Sequence, residues 1–422
     1  MSHQVVVTGV GFISPIGNSQ ASVVESLRQL RHGFSFYPRF EQDNVPVRLA
    51  GLIKDFNTES VDAEDWTYPG EYKIKRETVR GFAPHVLFAY CALTQALADA
   101  RLAPQEISSE DTGLFTASSG SASMLHYNVA RMLSLGVSRC PPLGVVSSVV
   151  GTLSYNLVAA FKILGSSCGF ASACASSGHA LGFAWEEVAA GRQKRMLVVG
   201  GEDGNFECLL PFAGMRALSP SRDPETASRP FDRDRNGFVG AGGACALVLE
   251  TGEEAARRGA TVYCEMSGWG QASDGYNVAI SHPDGVGLAQ AMRVALRRTG
   301  LQPGDVDYIN AHATSTPIGD ISEIRAIKTV FGAKGENGRP AISSTKALTG
   351  HPLSLASILE AGICALAIKH GFTPGSAHIK NLEPEALGLN ILRANLDQGP
   401  RVVLSNSSGF GGANVVLVFR KA

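Results

Sequence analysis

Two segments far apart in the chain run on the same pattern, and they restrict its fold more than any other feature. GAGGACALVLE (240–250) and GFGGANVVLVF (409–419) each carry a glycine cluster into a β-branched run, and each closes its half of the chain. Glycines let the backbone turn tightly, and the β-branched run that follows favours an extended, pleated surface. The recurrence predicts two similar α/β halves, 1–250 and 251–422. They join near 251–260, where Glu253, Glu254, Arg257 and Arg258 read as a solvated helix. Chance likeness of two glycine turns is the competing reading. Short β-branched runs at 5–8, 195–199, 245–250, 306–310, 341–344, 402–405 and 415–419 alternate with helical stretches at 86–100, 179–190, 288–299, 321–331 and 353–369. In the second stretch Leu181, Ala184, Trp185 and Val188 form one apolar face. The helix stops at Gly191 with Arg192 and Lys194 just beyond, as a helix C-terminus favours.

Composition narrows the function. The chain has 422 residues, 44% of them apolar and 18% charged, so it has material for a large buried core. Lys plus Arg number 37 against 38 Asp plus Glu, which leaves no global field for nucleic acid or an anionic membrane. An acidic partner needs a local basic patch. Eight scattered cysteines with no CxxC pair suggest neither a disulfide scaffold nor a zinc ribbon, and the cytosol is the expected home. The start, MSHQVVVTGVGF, does not read as a secretory signal. Residues 140–185 carry one charge, Lys162, and are long enough to span a membrane. Pro141, Pro142 and frequent Ser and Gly favour a buried helix-and-turn region instead.

Four segments carry chemistry. Cys174, in GFASACASSGHA, sits among small residues before the amphipathic helix, where N–H groups and the helix dipole favour a thiolate. A buried structural cysteine is the alternative. His312, in VDYINAHATSTP, follows an apolar strand, the place where open α/β sheets gather their chemistry; a satisfied turn histidine is the alternative. In AISSTKALTGHPLSLASILEAG, Pro352 places His351 at a helix start, which favours a neutral imidazole. Glu360 is the one charge between 353 and 368 and needs a partner if buried. Lys346 is the candidate, with an exposed stripe as the alternative. Finally, Gly409, Gly411 and Gly412 suit either a loop aiming N–H groups at an oxyanion or a plain hairpin turn. GVGFIS (9–14) has Ser14 where a dinucleotide fingerprint needs Gly or Ala, and GSSCG (165–169) precedes no immediate helix, so neither decoy persuades.

Taken together and in order, SACASSG, NAHATSTP, STKALTGH and NSSGFGG resemble the signatures of the elongating β-ketoacyl-acyl-carrier-protein synthases. RPFDRDRNGFVGAGG (229–243) is similar to the family's turn before the closing strand of the first half. The likeness runs from Val5 to Arg420 and is nearest the bacterial type I enzymes in GFVGAGG and HGFTPGSAHI. It implies a thiolase-like five-layered αβαβα fold built from two similar halves. The first half carries the nucleophile; the second carries both histidines and the glycine loop.

By resemblance, Cys174 is the nucleophile, His312 and His351 its catalytic partners, and Lys346 and Glu360 their support. Thr314 and Thr316 match the residues that hold a phosphopantetheine arm. Phe410 matches an acyl gate whose backbone N–H, with that of Cys174, forms the oxyanion hole. The implied reaction is decarboxylative Claisen condensation of an acyl-enzyme with malonyl-acyl carrier protein, in fatty-acid or polyene and polyketide elongation. The resemblance calls for no metal or redox cofactor, since the carrier protein supplies the phosphopantetheine. Arg76, Arg80 and Arg139 are candidates for its docking patch, and a homodimer is expected, with a heterodimer the other possibility. The rival reading is a catalytically silent partner subunit, but such relatives typically lack the cysteine. The chain departs from the family pattern at Ala313, at 117–119 (Ala-Ser-Ser for Gly-Ser-Gly), at Ser354, Leu355 and Ser357, and at Ser408 and Ala413. These positions bear on pocket shape and pathway.

Overall fold

The computed structural model describes every residue except 1–2, 42–44, 334, 336–337 and 339. The strands of its large sheet are β1 (Val5–Ile13), β2 (Thr112–Ala117), β3 (Ser167–Phe170), β4 (Arg195–Glu202), β5 (Gly243–Thr251), β6 (Cys264–Ser273), β7 (Tyr308–Asn310), β8 (Ala341–Ser343), β9 (Asn390–Ile391), β10 (Val402–Gly409) and β11 (Ala413–Arg420), and Phe34–Phe36 pairs with Leu49–Gly51 in a small separate sheet. They join in one 11-stranded sheet in the order β9-β8-β7-β10-β11-β6-β1-β5-β4-β2-β3. The longer helices are α1 (Pro84–Asp99), α2 (Ala122–Leu135), α3 (Thr152–Phe161), α4 (Ser176–Ala189), α5 (Val286–Thr299), α6 (Pro317–Phe331) and α7 (Ala356–His370).

The sheet repeats itself. Reading outward from the middle, one side runs β1-β5-β4-β2-β3 and the other β6-β11-β10-β7-β8, with β9 added at the far edge. On both sides the first two pairings are antiparallel and the next two parallel. The seam is a short antiparallel contact of β1 with β6, Val6 opposite Glu265 and Val7 opposite Cys264.

Side-chain alternation along the strands produces the layers. On β5, Ala244, Ala246 and Val248 pack with α1, while Cys245, Leu247 and Leu249 pack with α4 and α7. On β11, Val416 and Val418 pack with α5 and α6, while Val415, Leu417 and Phe419 face α4 and α7. Two helices therefore lie between the sheet's halves and the rest lie outside, giving five layers, αβαβα. α7 is apolar on every side, as a helix enclosed by two sheets must be. Its segment Leu353–His370 is long and apolar enough to cross a membrane, yet 89% of it is buried inside the protein. α1 can approach β1 closely because Gly11 has no Cβ; one would fall 1.9 Å from the Ala92 carbonyl oxygen.

Several elements depart from the sequence reading. β2, β3, β6 and α2 were not expected from the pattern. The expected helix at 353–369 opens as a 3-10 turn, Leu353–Leu355, before α7 begins. At the junction between the halves Arg258 is not solvated. Its guanidinium pairs with the fully buried Glu250, and Arg195 shares that carboxylate at 3.6 Å.

Candidate active site

The chemistry-bearing residues stand on loops beyond strand ends. Cys174 occupies the turn from β3 into α4, two residues before the helix starts, with Ala173 held at φ 51°. Ser176 keeps that turn in place: its Oγ donates to the Ala173 carbonyl at 2.6 Å and accepts the Ser172 N–H at 2.8 Å. His312 follows β7. His351 follows the short helix Lys346–Thr349 after β8, and its own N–H donates to the Val239 carbonyl at 2.8 Å. The β10–β11 hairpin presses on the cysteine from the other side. A Cβ on Gly409 would lie 2.7 Å from the Ser172 oxygen and 3.1 Å from the Cys174 nitrogen, so only glycine lets Phe410 approach this closely.

These loops bring three groups together. Cys174 Sγ and one nitrogen each of His312 and His351 all lie within 4.8 Å of one another. His351 Nε2 is 3.0 Å from Cys174 Sγ, and the two imidazoles stand edge to face with centroids 5.3 Å apart. Nδ1 of each histidine is buried and unpartnered, which leaves each Nε2 as the working atom.

Burial sets the charge states. The Cys174 thiol is pushed up to about 12, chiefly by burial, with Lys346 opposing and Glu202 adding to the shift. Burial therefore works against the thiolate that the helix N-terminus favours. Both histidines fall well below their ordinary value, from burial first and then from the Lys346 charge, with His351 adding its effect on His312. They are neutral, as expected, but the cause differs. His351 is separated from α7 by the 3-10 turn, so the helix dipole is not what neutralises it.

The supporting residues are as close-knit. Lys346 and Glu360, both almost wholly buried, form an ion pair. Burial raises Glu360 to about 7 against the opposing pull of Lys346. Two further carboxylates escaped the sequence reading. Glu323 on α6 accepts the N–H groups of His312 at 2.9 Å and Ala313 at 2.6 Å, and Asn406 Nδ2 at 3.0 Å. The available signal was an acid among Ser322, Ile324 and Ile327, positions that α6 buries. Glu202, at the end of β4, accepts the hydroxyls of Ser119 and Ser354 and the Cys208 thiol at 3.4 Å. Its signal was an acid pair, Glu202–Asp203, ending an apolar strand. The departures from the family pattern converge here. Ser119 and Ser354 grip Glu202, while Ser357 donates to the Cys174 carbonyl at 3.2 Å and to Ser407 at 2.7 Å.

The remaining candidates lie farther out. Phe410 is 41% exposed and heads a file of rings that leads inward through Phe212 (6.1 Å) and Phe238 (5.6 Å) to His351 (5.1 Å). Thr314 and Thr316 touch through their hydroxyls at 3.0 Å. Arg76 and Arg80 are exposed but both pair with Glu64, which takes up part of their charge; Arg139 is exposed as well. By ligand chemistry, the sulfur and two imidazoles of the central cluster form the set suited to a soft metal ion.

Known proteins align with the chain end to end. Residues 2–255 match the family model "Beta-ketoacyl synthase, N-terminal domain", and residues 263–380 match "Beta-ketoacyl synthase, C-terminal domain". The 3-oxoacyl-[acyl-carrier-protein] synthase 1 of Escherichia coli is 37% identical over 421 residues, covering 99% of this chain and 98% of that one. A 3-oxoacyl-[acyl-carrier-protein] synthase 2 of Synechocystis sp. is 36% identical over 430 residues, covering 99% and 98%. Among solved structures, the ishigamide ketosynthase/chain length factor superposes over 100% of both chains with a TM-score of 0.89 at 26% identity.

Proposed function

The chain belongs to the β-ketoacyl synthase family, and from that premise we propose that Cys174, His312 and His351 carry a decarboxylative Claisen condensation on carrier-bound thioesters. The protein is a condensing acyltransferase with a thiolase-type fold. The observation that carries the residue assignment is the 3.0 Å approach of His351 Nε2 to Cys174 Sγ, with His312 in the same cluster.

The reaction has two halves. In the first, the acyl group of a carrier-bound thioester passes to the Cys174 sulfur. The thiol proton ends on the departing phosphopantetheine sulfur, with His351 placed to carry it. In the second, a malonyl thioester enters and its carbonyl oxygen takes hydrogen bonds from the neutral His312 and His351. They stabilise the enolate left as carbon dioxide departs. The enolate carbon attacks the acyl-Cys174 carbonyl, whose oxyanion is held by the N–H groups of Cys174 and Phe410. The carbon–sulfur bond then breaks, the Cys174 sulfur leaves as a thiolate that takes a proton from solvent, and the β-ketoacyl product is two carbons longer. Burial keeps both imidazoles uncharged, so the site gives up no proton before the enolate forms. Lys346, paired with Glu360, supplies the positive potential, and Thr314 with Thr316 lines the way in for the phosphopantetheine.

The partner in this reading is an acyl carrier protein, and Arg76, Arg80 and Arg139 are the basic residues assigned to it. A division into two halves is supported by the repeated strand order, which changes over between β5 and β6. GFVGAGG and HGFTPGSAHI support a place nearer the type I synthases. Eight free thiols support a reducing, cytoplasmic setting. A second copy of the chain is the expected assembly partner. Strand β3 lies at the sheet's edge, and Leu133, Val137, Val145, Tyr155 and Leu164 are exposed in the neighbouring segments.

Incubation with acyl-carrier proteins of several chain lengths, followed by intact mass and peptide mapping, tests the reading. It predicts one acyl group, on Cys174, lost in Cys174→Ala. Acylation of another residue, or an acylated Cys174→Ala protein, would overturn it.

A further inference from the structure

We propose that the unacylated protein binds a soft divalent cation, zinc being the model, through Cys174 Sγ and one nitrogen each of His312 and His351. The donor geometry carries this independently of the condensing reaction. Zinc takes imidazole nitrogen at about 2.0 Å and thiolate sulfur at about 2.3 Å, so tetrahedral donors lie roughly 3.3–3.6 Å apart. Here the three donors are already within 4.8 Å of one another and one pair is at 3.0 Å, so small side-chain rotations complete the set. Cys174 and His312 each keep some contact with solvent, so the cluster is reachable from outside. The Lys346 charge beside the site opposes a cation even though Glu360 pairs with it, which keeps the binding weak.

Binding is a simple exchange. The thiol sulfur gives up its proton to solvent and forms the sulfur–metal bond, and a chelator reverses the step. The unpartnered Nδ1 atoms of both histidines set its strength. A ligating imidazole ordinarily donates its second N–H to an acceptor, and loss of such a partner weakens a site 10–100-fold. The site is therefore one that loads and unloads, holding the thiol out of reaction until the metal is withdrawn. A thioester at Cys174 removes the anionic ligand, so acylated and metal-bound forms exclude each other.

Cobalt(II) is the spectroscopic probe. The proposal predicts one equivalent bound to the full-length protein, with tetrahedral bands and a sulfur-to-cobalt charge-transfer band that zinc displaces. The charge-transfer band should vanish in C174A and in wild-type protein alkylated at Cys174, a form that needs no variant to fold. Affinity should fall at least tenfold in H312Q and in H351Q. Zinc should also protect Cys174 from iodoacetamide, and EDTA should restore labelling. Absence of the charge-transfer band from wild type, its survival in the alkylated protein, or wild-type affinity in either histidine variant would overturn the proposal. None of these readouts depends on condensation, so they stand or fall apart from it.

Discussion

Glu202 ends β4 with a side chain wholly out of solvent, and its carboxylate is tolerable there because hydroxyls from Ser119 and Ser354 meet it. Removing one donor leaves a buried acceptor short of a partner, which costs about 1–3 kcal/mol. Ser354→Ala should therefore lower the thermal midpoint. Ser119→Ala combined with it should cost less or more than the sum of the two, because both act on one carboxylate; strict additivity in denaturant melts would refute the shared grip. Glu360 gives a pH signature. Its pKa in the fold, about 7, stands above the ordinary 4.5 because of burial. Below about 4.5 both folded and unfolded chains hold the proton. Between 4.5 and 7 only the folded chain does, so this contribution to stability is lost as pH rises through that window. Melting curves of wild type and Glu360→Gln across pH 4.5–8 should show the fall in the former and its absence in the latter. At this scale the sequence showed most of the site. Cys174, both histidines and the Lys346–Glu360 pair stand in segments whose residue types announce them. Glu202 and Glu323 were hidden because their partners are backbone groups and serines distant in sequence. The opposing effect of burial on the thiol was not legible, because exposure, unlike helix position, cannot be read from a motif.

Among elements, the loops matter more than the strands that carry them. Glu323 ties the His312 loop to α6 through two N–H groups. Glu323→Ala should leave acylation of Cys174 intact while slowing malonyl decarboxylation at least tenfold. Equal loss of both steps would point to general damage instead. Gly409→Ala drives a methyl against backbone atoms of the Cys174 turn, which cannot yield as a flexible side chain can. Overpacking of this kind costs about 1–3 kcal/mol, and it should slow acylation more than it lowers the melting midpoint. Strand legibility followed side-chain chemistry. β5 and β11 are continuous apolar runs, as strands buried on both faces are. β6, CEMSGWGQAS, has glycines where helix α5 approaches and no β-branched residue, and β3, SCGF, is an exposed edge, so neither carries the usual signal.

For the whole molecule, the echo of two glycine-led strands corresponds to the same position in two repeats of one strand order, β5 in one and β11 in the other. What the sequence could not display was the seam, a contact of two residue pairs between β1 and β6. The exposed apolar side chains Leu133 and Val145 make a further prediction. Val145→Glu with Leu133→Glu should shift a dimer toward monomer in light scattering, and an unchanged mass would place the interface elsewhere. The site itself spans both halves, since Cys174 comes from one and the histidines from the other. Its unity is tested most directly by carbon dioxide release in a single turnover with acyl- and malonyl-carrier proteins. Wild type should release one carbon dioxide per β-ketoacyl product. His312→Ala, still acylated at Cys174 by intact mass, should release it about 10²–10⁴-fold more slowly. Release from that variant at the wild-type rate would contradict the account.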